Sequence, residues 1–436
     1  MSARQNRRFS RRSLVRGGSV GAGLLGLIAI ACGGNDDKTS SATTPRASGA
    51  ANAGTQTAGT QATGAADLKL NTNEVGIGFI SSFTGPLAPI YAEFVAGAKL
   101  AIDEINQKGG LGGAQFKLIE ADDQSNPAQV TAAALGLVDK KISFCCGPIG
   151  SNAISASPAL NQGKIIQAGY SDNPELANAS KFPYTFRFVW SPEQSSKLLV
   201  DYYTKQLNID KIAVLGENTV YGQTDLPTTT KYMESVGLKP TVSEYFAPGT
   251  ADFVPLLRKV QDTGSKGIIW WTQGGPEANT VIRNMGDINM NIPIAGIGFS
   301  AGQLKPNIPG DRLNNVFSVG WKRTSYTATE PAPEKYLAWQ KKLEAAGGLG
   351  KLGSGGTAPF YDFINYVVAG ITATKGLDSK AIVEYMQKTP YDGVLANYSA
   401  ITDKDHSTTK EDQITLGVIG SYEEAKRPLL LRAKGL

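Results

Sequence analysis

Residues 75–123 read VGIGFISSFTGPLAPIYAEFVAGAKLAIDEINQKGGLGGAQFKLIEADD, and the change of texture within them decides the fold. VGIGFISSF is a short apolar run of strand type. YAEFVAGAKLAIDEINQKGG keeps its apolar residues on one helical face and stops at a glycine pair, and FKLIEADD is a strand again. The alternation continues outward. NPAQVTAAALGLVDKK reads as a helix, ISFCCGP as a strand, SNAISASPALNQ as a helix, and KIIQAGY and YTFRFVW as strands.

A second round begins at Ser191. SPEQ puts Ser191 at an N-cap, Pro192 next and Gln194 three residues after the cap, a capping box for the helix SSKLLVDYYTKQL. Strand KIAVLGEN, a helix over 223–236, strand TVSEYF, helix DFVPLLRKVQDTG, strand KGIIWWTQ, helix PEANTVIRNMGDI and strand IPIAGIGFS follow. Near-continuous apolar strands joined by helices imply parallel sheets covered on both faces, and two rounds imply two sheets. The fold class is therefore α/β, with two Rossmann-like lobes. Ligands in this architecture bind beyond the carboxyl ends of the strands, so the site is expected in the cleft between the lobes. Beyond residue 314 lie a strand NVFSVGW, three helices, and strand segments over 393–401 and 413–420. This remainder is expected to return and complete both lobes.

The N-terminal end has a different chemistry. Six of the 43 basic residues lie in residues 1–31 with no acid among them, leaving 37 basic against 38 acidic residues in the rest. The formal charge of +5 therefore belongs to an export signal, and no nucleic-acid footprint remains. SRRSLVR is a twin-arginine pattern, and the apolar run SVGAGLLGLIAIA is too short to span a bilayer. It ends in AIAC, so residues 1–31 are expected to be a twin-arginine signal peptide of lipoprotein type. AIAC resembles the lipobox of bacterial lipoproteins, which implies lipidation of Cys32. Residues 32–70, rich in Ala, Thr, Gly and Ser, read as a flexible tether. The expected location is the outer face of the cytoplasmic membrane, held by the N-terminal lipid. Cys145 and Cys146 stand side by side in an apolar strand with no Cys/His cluster, so they read as small buried hydrophobes and no metal is expected.

The order GFISSFTGPLA, GAKLAIDEINQKGGLGG, DDQSNPAQ, NPEL, VYGQ and DFVPLLRKV resembles the type I periplasmic substrate-binding proteins, in the leucine/isoleucine/valine-binding branch. The resemblance covers about residues 75–420. It implies two lobes joined by three hinge crossovers near Trp190, Trp321 and Thr409, closing on a small solute. Lobe 1 is then 71–190 with 322–409, and lobe 2 is 191–321 with 410–436. The implied partners are the permease and ATPase subunits of an ABC importer, with no cofactor and no enzymatic activity. A ligand-binding sensory component presenting a closed form to a signalling partner is the alternative.

The resemblance also places site residues. Ser151, at a strand-to-helix turn, matches a serine that holds the ligand carboxylate in amino-acid binders, and reads equally as a plain cap. Ser171 and Asp172 lie on the next such turn, where Asn173 and Pro174 carry the helix start by themselves. Asp172 stands where those binders have a threonine serving the carboxylate, Ile297 where they have a Glu for the ammonium, and Gly274 where they have an aromatic residue. An ionised Asp repels a carboxylate in a partly desolvated cleft. The free amino-acid pocket is therefore altered, and a ligand with donors facing Asp172, such as an amide, amine or polyol, is expected. Tyr91 and Tyr221 match aromatic positions of the cleft, and Trp271 and Gln273 end a strand at its edge, with Trp270 turned into the core.

A hydrolase is the remaining alternative. GFSAG around Ser300 matches a nucleophile elbow, and Asp362 and His406, the only histidine, follow in hydrolase order. Two prolines soon after Ser300 argue against the helix an elbow needs. No Walker loop or complete dinucleotide fingerprint occurs.

Overall fold

Five strands, β1 (Glu74–Ser81), β2 (Gln115–Asp122), β3 (Phe144–Ile149), β4 (Ile166–Tyr170) and β5 (Thr185–Arg187), form a first sheet in the order β2-β1-β3-β4-β5. Every pairing in it is parallel. The computed structural model describes residues 68–274, 276–348, 350, 355–423 and 429–436, together with the backbone but not the side chain of Ser151. The expected signal peptide, Cys32 and nearly all of the expected tether lie outside the described residues.

The second round builds the second sheet. Its strands are β6 (Ile212–Glu217), β7 (Ser243–Phe246), β8 (Gly267–Trp271), β9 (Ile294–Gly296), β10 (Val316–Trp321) and β11 (Ser325–Tyr326). After a small hairpin of β12 (Tyr391–Asp392) and β13 (Asn397–Tyr398), the chain returns as β14 (Ile414–Val418) and β15 (Leu430–Arg432). The order is β11-β15-β14-β10-β9-β8-β6-β7. From β10 to β7 the sheet is parallel, as expected. Its other edge is not. β14 runs antiparallel to both β10 and β15, because the chain re-enters from the far side of the hinge. β11 extends this edge, so the second sheet continues past the boundary expected at Trp321.

Burial explains the apolar strands. β3, β6 and β8 are buried along their whole length, the signature of strands covered on both faces. Alternation along β8 sends Trp270 to one face, stacked 4.4 Å from Phe246, and Trp271 to the other. Helix ends follow the sequence signals closely. The capping box forms, with Gln194 N donating to Ser191 Oγ (3.2 Å) and Ser191 N donating to Gln194 Oε1 (2.8 Å). The helix it starts, Pro192–Asp201, ends in a wider turn over Tyr202–Gln206. Of the expected strand YTFRFVW only β5 pairs in the sheet, and the segment 393–401 contributes only β13, which pairs with β12 just before it.

Three crossovers lie together. Trp190 and Trp321 meet edge to face at 5.3 Å. Gln194 Nε2 donates to the Thr409 carbonyl (2.9 Å), and Arg187 and Thr408 exchange backbone contacts, Thr408 N donating to Arg187 O (3.2 Å).

Candidate functional site

The carboxyl ends of the parallel strands in both sheets face one cavity of about 260 Å³. That is below the roughly 300–1,000 Å³ of drug-sized ligand sites, so it suits a small solute. From the first sheet come Tyr91, Ile149, Tyr170, Ser171 and Asp172, and from the second Tyr221, Gln273, Ile297 and Ser300. Trp190 and Trp321 close the hinge side.

β3 ends at Gly150, whose φ of +78° favours glycine. A side chain there would also collide with the Tyr91 hydroxyl and Gln273 Oε1. The tyrosine and the glutamine can therefore approach across the cleft, and the hydroxyl donates to Gln273 Oε1 at 3.5 Å, a long bond. Burial, then the carboxylates of Asp172 and Glu217, push the Tyr91 hydroxyl well above its ordinary pKa, so it stays protonated. Glu217, at the end of β6, accepts from Gln273 N and Thr272 Oγ1 (both 3.3 Å) and fixes that turn. Gly274 adopts φ +100° and leaves its share of the cavity open.

β4 delivers the polar wall. Asn173 Oδ1 accepts from Glu175 N (3.0 Å), capping the short helix Pro174–Ala177 as the sequence predicts. Ser171 Oγ accepts from Asn173 N at 3.3 Å. Asp172 lines the cavity, yet it is buried and its Oδ2 has no hydrogen-bond partner. Behind it, on the helix Val220–Ser235, lies fully buried Asp225 with neither carboxyl oxygen partnered by a donor. Desolvation raises both acids; the Asp172 carboxylate pushes Asp225 up further, whereas Asp225 as a neutral neighbour pulls Asp172 back down.

Of the residues expected at the site, the structure brings Tyr91, Ser171, Asp172, Tyr221, Gln273 and Ile297 together on this cavity. Ser151 begins a helical turn beside Gly150, and its side chain lies outside the description. Trp271 is a correction. It is fully buried away from the cavity, and its indole N–H donates to Thr229 Oγ1 at 3.0 Å, because the helix Val220–Ser235 covers that face of β8. The hydrolase constellation is a second correction. A short helix, Ala301–Leu304, does follow Ser300. However, His406 is buried against Phe186, with Nδ1 2.9 Å from the Thr185 carbonyl and Nε2 2.9 Å from Gln387 Nε2. Asp362 is tied to Val394 N, Leu395 N and the Tyr398 hydroxyl, so the three groups serve separate parts of the fold.

The sequence reading missed Phe94, Tyr170 and Asp225. Phe94 was hidden in an amphipathic pattern, and Tyr170 ended a strand without a polar signal. Nothing near Asp225 in sequence announces its partner. Among the described residues no cluster of three metal-ligating side chains occurs, and no helix is long and apolar enough to cross a membrane.

A family model described as periplasmic binding protein matches residues 74–415. A Leu/Ile/Val-binding protein homolog 1 from Brucella abortus is 30% identical over 248 residues, 56% of this chain and 66% of that protein. An amino acid binding protein from Pseudomonas aeruginosa is 30% identical over 215 residues, 49% of this chain and 57% of that protein. The match thus spans less than two thirds of the length of these curated relatives. Among solved structures, a periplasmic binding protein type 1 from Bordetella pertussis Tohama I superposes with TM-score 0.71 at 18% identity, covering 83% of this chain and 99% of that one. The branched-chain amino acid transporter substrate binding protein from Streptococcus pneumoniae, in complex with isoleucine, gives 0.69 at 23% identity, covering 80% and 97%. A solute binding protein of an R. palustris ABC transporter, in complex with 4-hydroxybenzoate, gives 0.68 at 20%, covering 83% and 96%.

Proposed function

The chain belongs to the periplasmic binding protein family, and from that premise we propose that it captures a small polar organic solute outside the cytoplasm and delivers it to an ABC importer. The observation that carries this reading is the cavity at which strand ends of both sheets converge, with Tyr91 and Gln273 meeting across it. Lobe 1 is 71–190 with 322–409 and lobe 2 is 191–321 with 410–436, apart from β11, which pairs with the second sheet. The solute binds one lobe, the crossovers bend, and contacts made only in the closed form stabilise it. An amino acid, an amide or a related compound fits the volume. Residues 1–31 direct export, and a lipid on Cys32 holds the protein to the membrane through the tether.

A thermal-shift screen over amino acids, amides, amines and aromatic acids tests capture, since a ligand that binds only the folded state raises Tm. Uptake of the hit by cells lacking the gene tests delivery. Loss of uptake is expected, and unchanged uptake with altered signalling points to a sensor instead. Labelling with radioactive fatty acid, abolished by Cys32→Ala, tests the anchor.

A further inference from the structure

The polar wall of the cavity is chemically lopsided. Seven aromatic side chains line the cavity (Tyr91, Phe94, Tyr170, Trp190, Tyr221, Phe299 and Trp321), and among the described residues Asp172 is its only carboxylic acid. Among the described residues no Lys, Arg or His lines it. Asp172 is 7% exposed with Oδ2 unpartnered, and Tyr221 is 9% exposed with its hydroxyl unpartnered. No hydrogen bond of good geometry reaches either atom, and the only side chains placed to answer Asp172 are Asp225 behind it and Tyr221 itself. Buried polar groups without partners are costly, so such a pair marks where a ligand group belongs.

The charges around them are mostly negative. Asp225 stands behind Asp172, Glu193 faces Asp225, and Glu217 and Asp123 add to the field at Tyr91. Tyr170 and Tyr91 near Tyr221 stay neutral. Among the described residues the nearby cation is Arg187. Its strongest charge partner is Asp405, its Nη2 donates to Ser407 Oγ (2.6 Å), and its Nε is unpartnered, so it is not locked onto Asp172. A carboxylate entering this cavity meets an unpaired acid and no cation of the lining. A neutral amide satisfies one oxygen and leaves the charge. An ammonium group does both, with three donors for Asp172 and the Tyr221 oxygen, and with its charge against aromatic faces.

Resting on the solute-binding reading above, we propose that the cavity selects an organic ammonium ion with an apolar body and no carboxylate, its head held between Asp172 and Tyr221 and backed by Asp225. The aromatic walls enclose the body. Asp225 makes binding proton-linked. Two acids this close share one proton while the site is empty. A bound cation favours ionisation of both, so the Asp225 carboxyl loses its proton to solvent as the ammonium, already charged, takes its place.

The test uses head-group series on two common bodies: 3-methylbutylamine, leucine, isovalerate and isovaleramide, and phenethylamine with the matching amino acid, acid and amide. Calorimetry is run on the whole exported protein, stripped of bound solute by denaturation and refolding. The amines are expected to bind most tightly in each series, releasing a proton that appears as a dependence of the heat on buffer ionisation enthalpy. Asp172→Asn is expected to weaken the amine roughly 30-fold or more, as truncation of a buried charge partner does. Asp225→Asn is expected to abolish the buffer dependence. Circular dichroism of each variant establishes that it is folded. Tighter binding of an amino acid, acid or amide, or unchanged amine affinity in Asp172→Asn, overturns this proposal and leaves the solute-binding reading standing. If neither series nor any compound of the wider screen binds, both fall.

Discussion

Asp172 and Asp362 are both buried aspartates, and they have opposite surroundings. Asp362, on the helix Ala358–Thr374, accepts from Val394 N (2.7 Å), Leu395 N (2.9 Å) and the Tyr398 hydroxyl (2.8 Å). Every demand of that carboxylate is met from within the chain, and it ties the β12–β13 hairpin to the helix. Asp172 has an orphan oxygen and a second acid at its back. Desolvation raises the pKa of each. Burial of a charge is thus not by itself a sign of function. The number of donors supplied from within the chain separates an acid that holds the fold from one that waits for a ligand.

The largest expected effect breaks the satisfied side of this comparison. Asp362→Ala leaves two backbone N–H groups and a tyrosine hydroxyl unpaired in the core, and is expected to cost about 3–5 kcal/mol in denaturant unfolding. An added ligand should not alter that difference. Asp172→Asn is expected to act in the reverse direction on the empty protein, raising its stability by about 1–2 kcal/mol at neutral pH. A loss of stability in this variant would place Asp172 with the structural acids.

A smaller effect sharpens the comparison by pH. Asp362 has its pKa raised from 3.8 to about 6 by burial, against the pull of its hydrogen bonds. A raised acid holds its proton in the folded state over a range where the unfolded chain has lost it. Its contribution to stability is therefore full below the unfolded value and falls as pH climbs through the folded one. Asp172 is shifted in the same direction, chiefly by desolvation. The advantage of Asp172→Asn is accordingly expected to be greatest at neutral pH and to shrink on acidification, as read from Tm of both proteins across pH. Smallest is Tyr91→Phe, which removes a 3.5 Å contact with Gln273. It is expected to change stability by about 0.5 kcal/mol or less.

Much of this molecule was legible in its sequence wherever the signal is local. Asn173 and Ser191 cap the helices their neighbours announce, and fully apolar strands such as β3 and β6 are the doubly covered ones. Long-range pairing was not legible. The antiparallel edge of the second sheet depends on where the chain re-enters after the hinge, and no residue of β14 encodes that direction. Trp271 failed for the same reason. Alternation correctly separates it from Trp270, yet only the helix carrying Thr229 decides that its face is core rather than cleft. Asp172 could be placed at the site, whereas its pairing with Asp225 joins a strand end to a helix of the other sheet.

The contact between Trp190 and Trp321 has an optical consequence. The two indoles belong to different crossovers, their centroids 5.3 Å apart and their planes inclined at 60°. Chromophores so close share their excited states, and the resulting exciton couplet in circular dichroism has a sign and amplitude set by their mutual orientation. Bending at these crossovers would change that orientation. The chain therefore carries its own spectroscopic gauge of opening and closing, with no dye to attach.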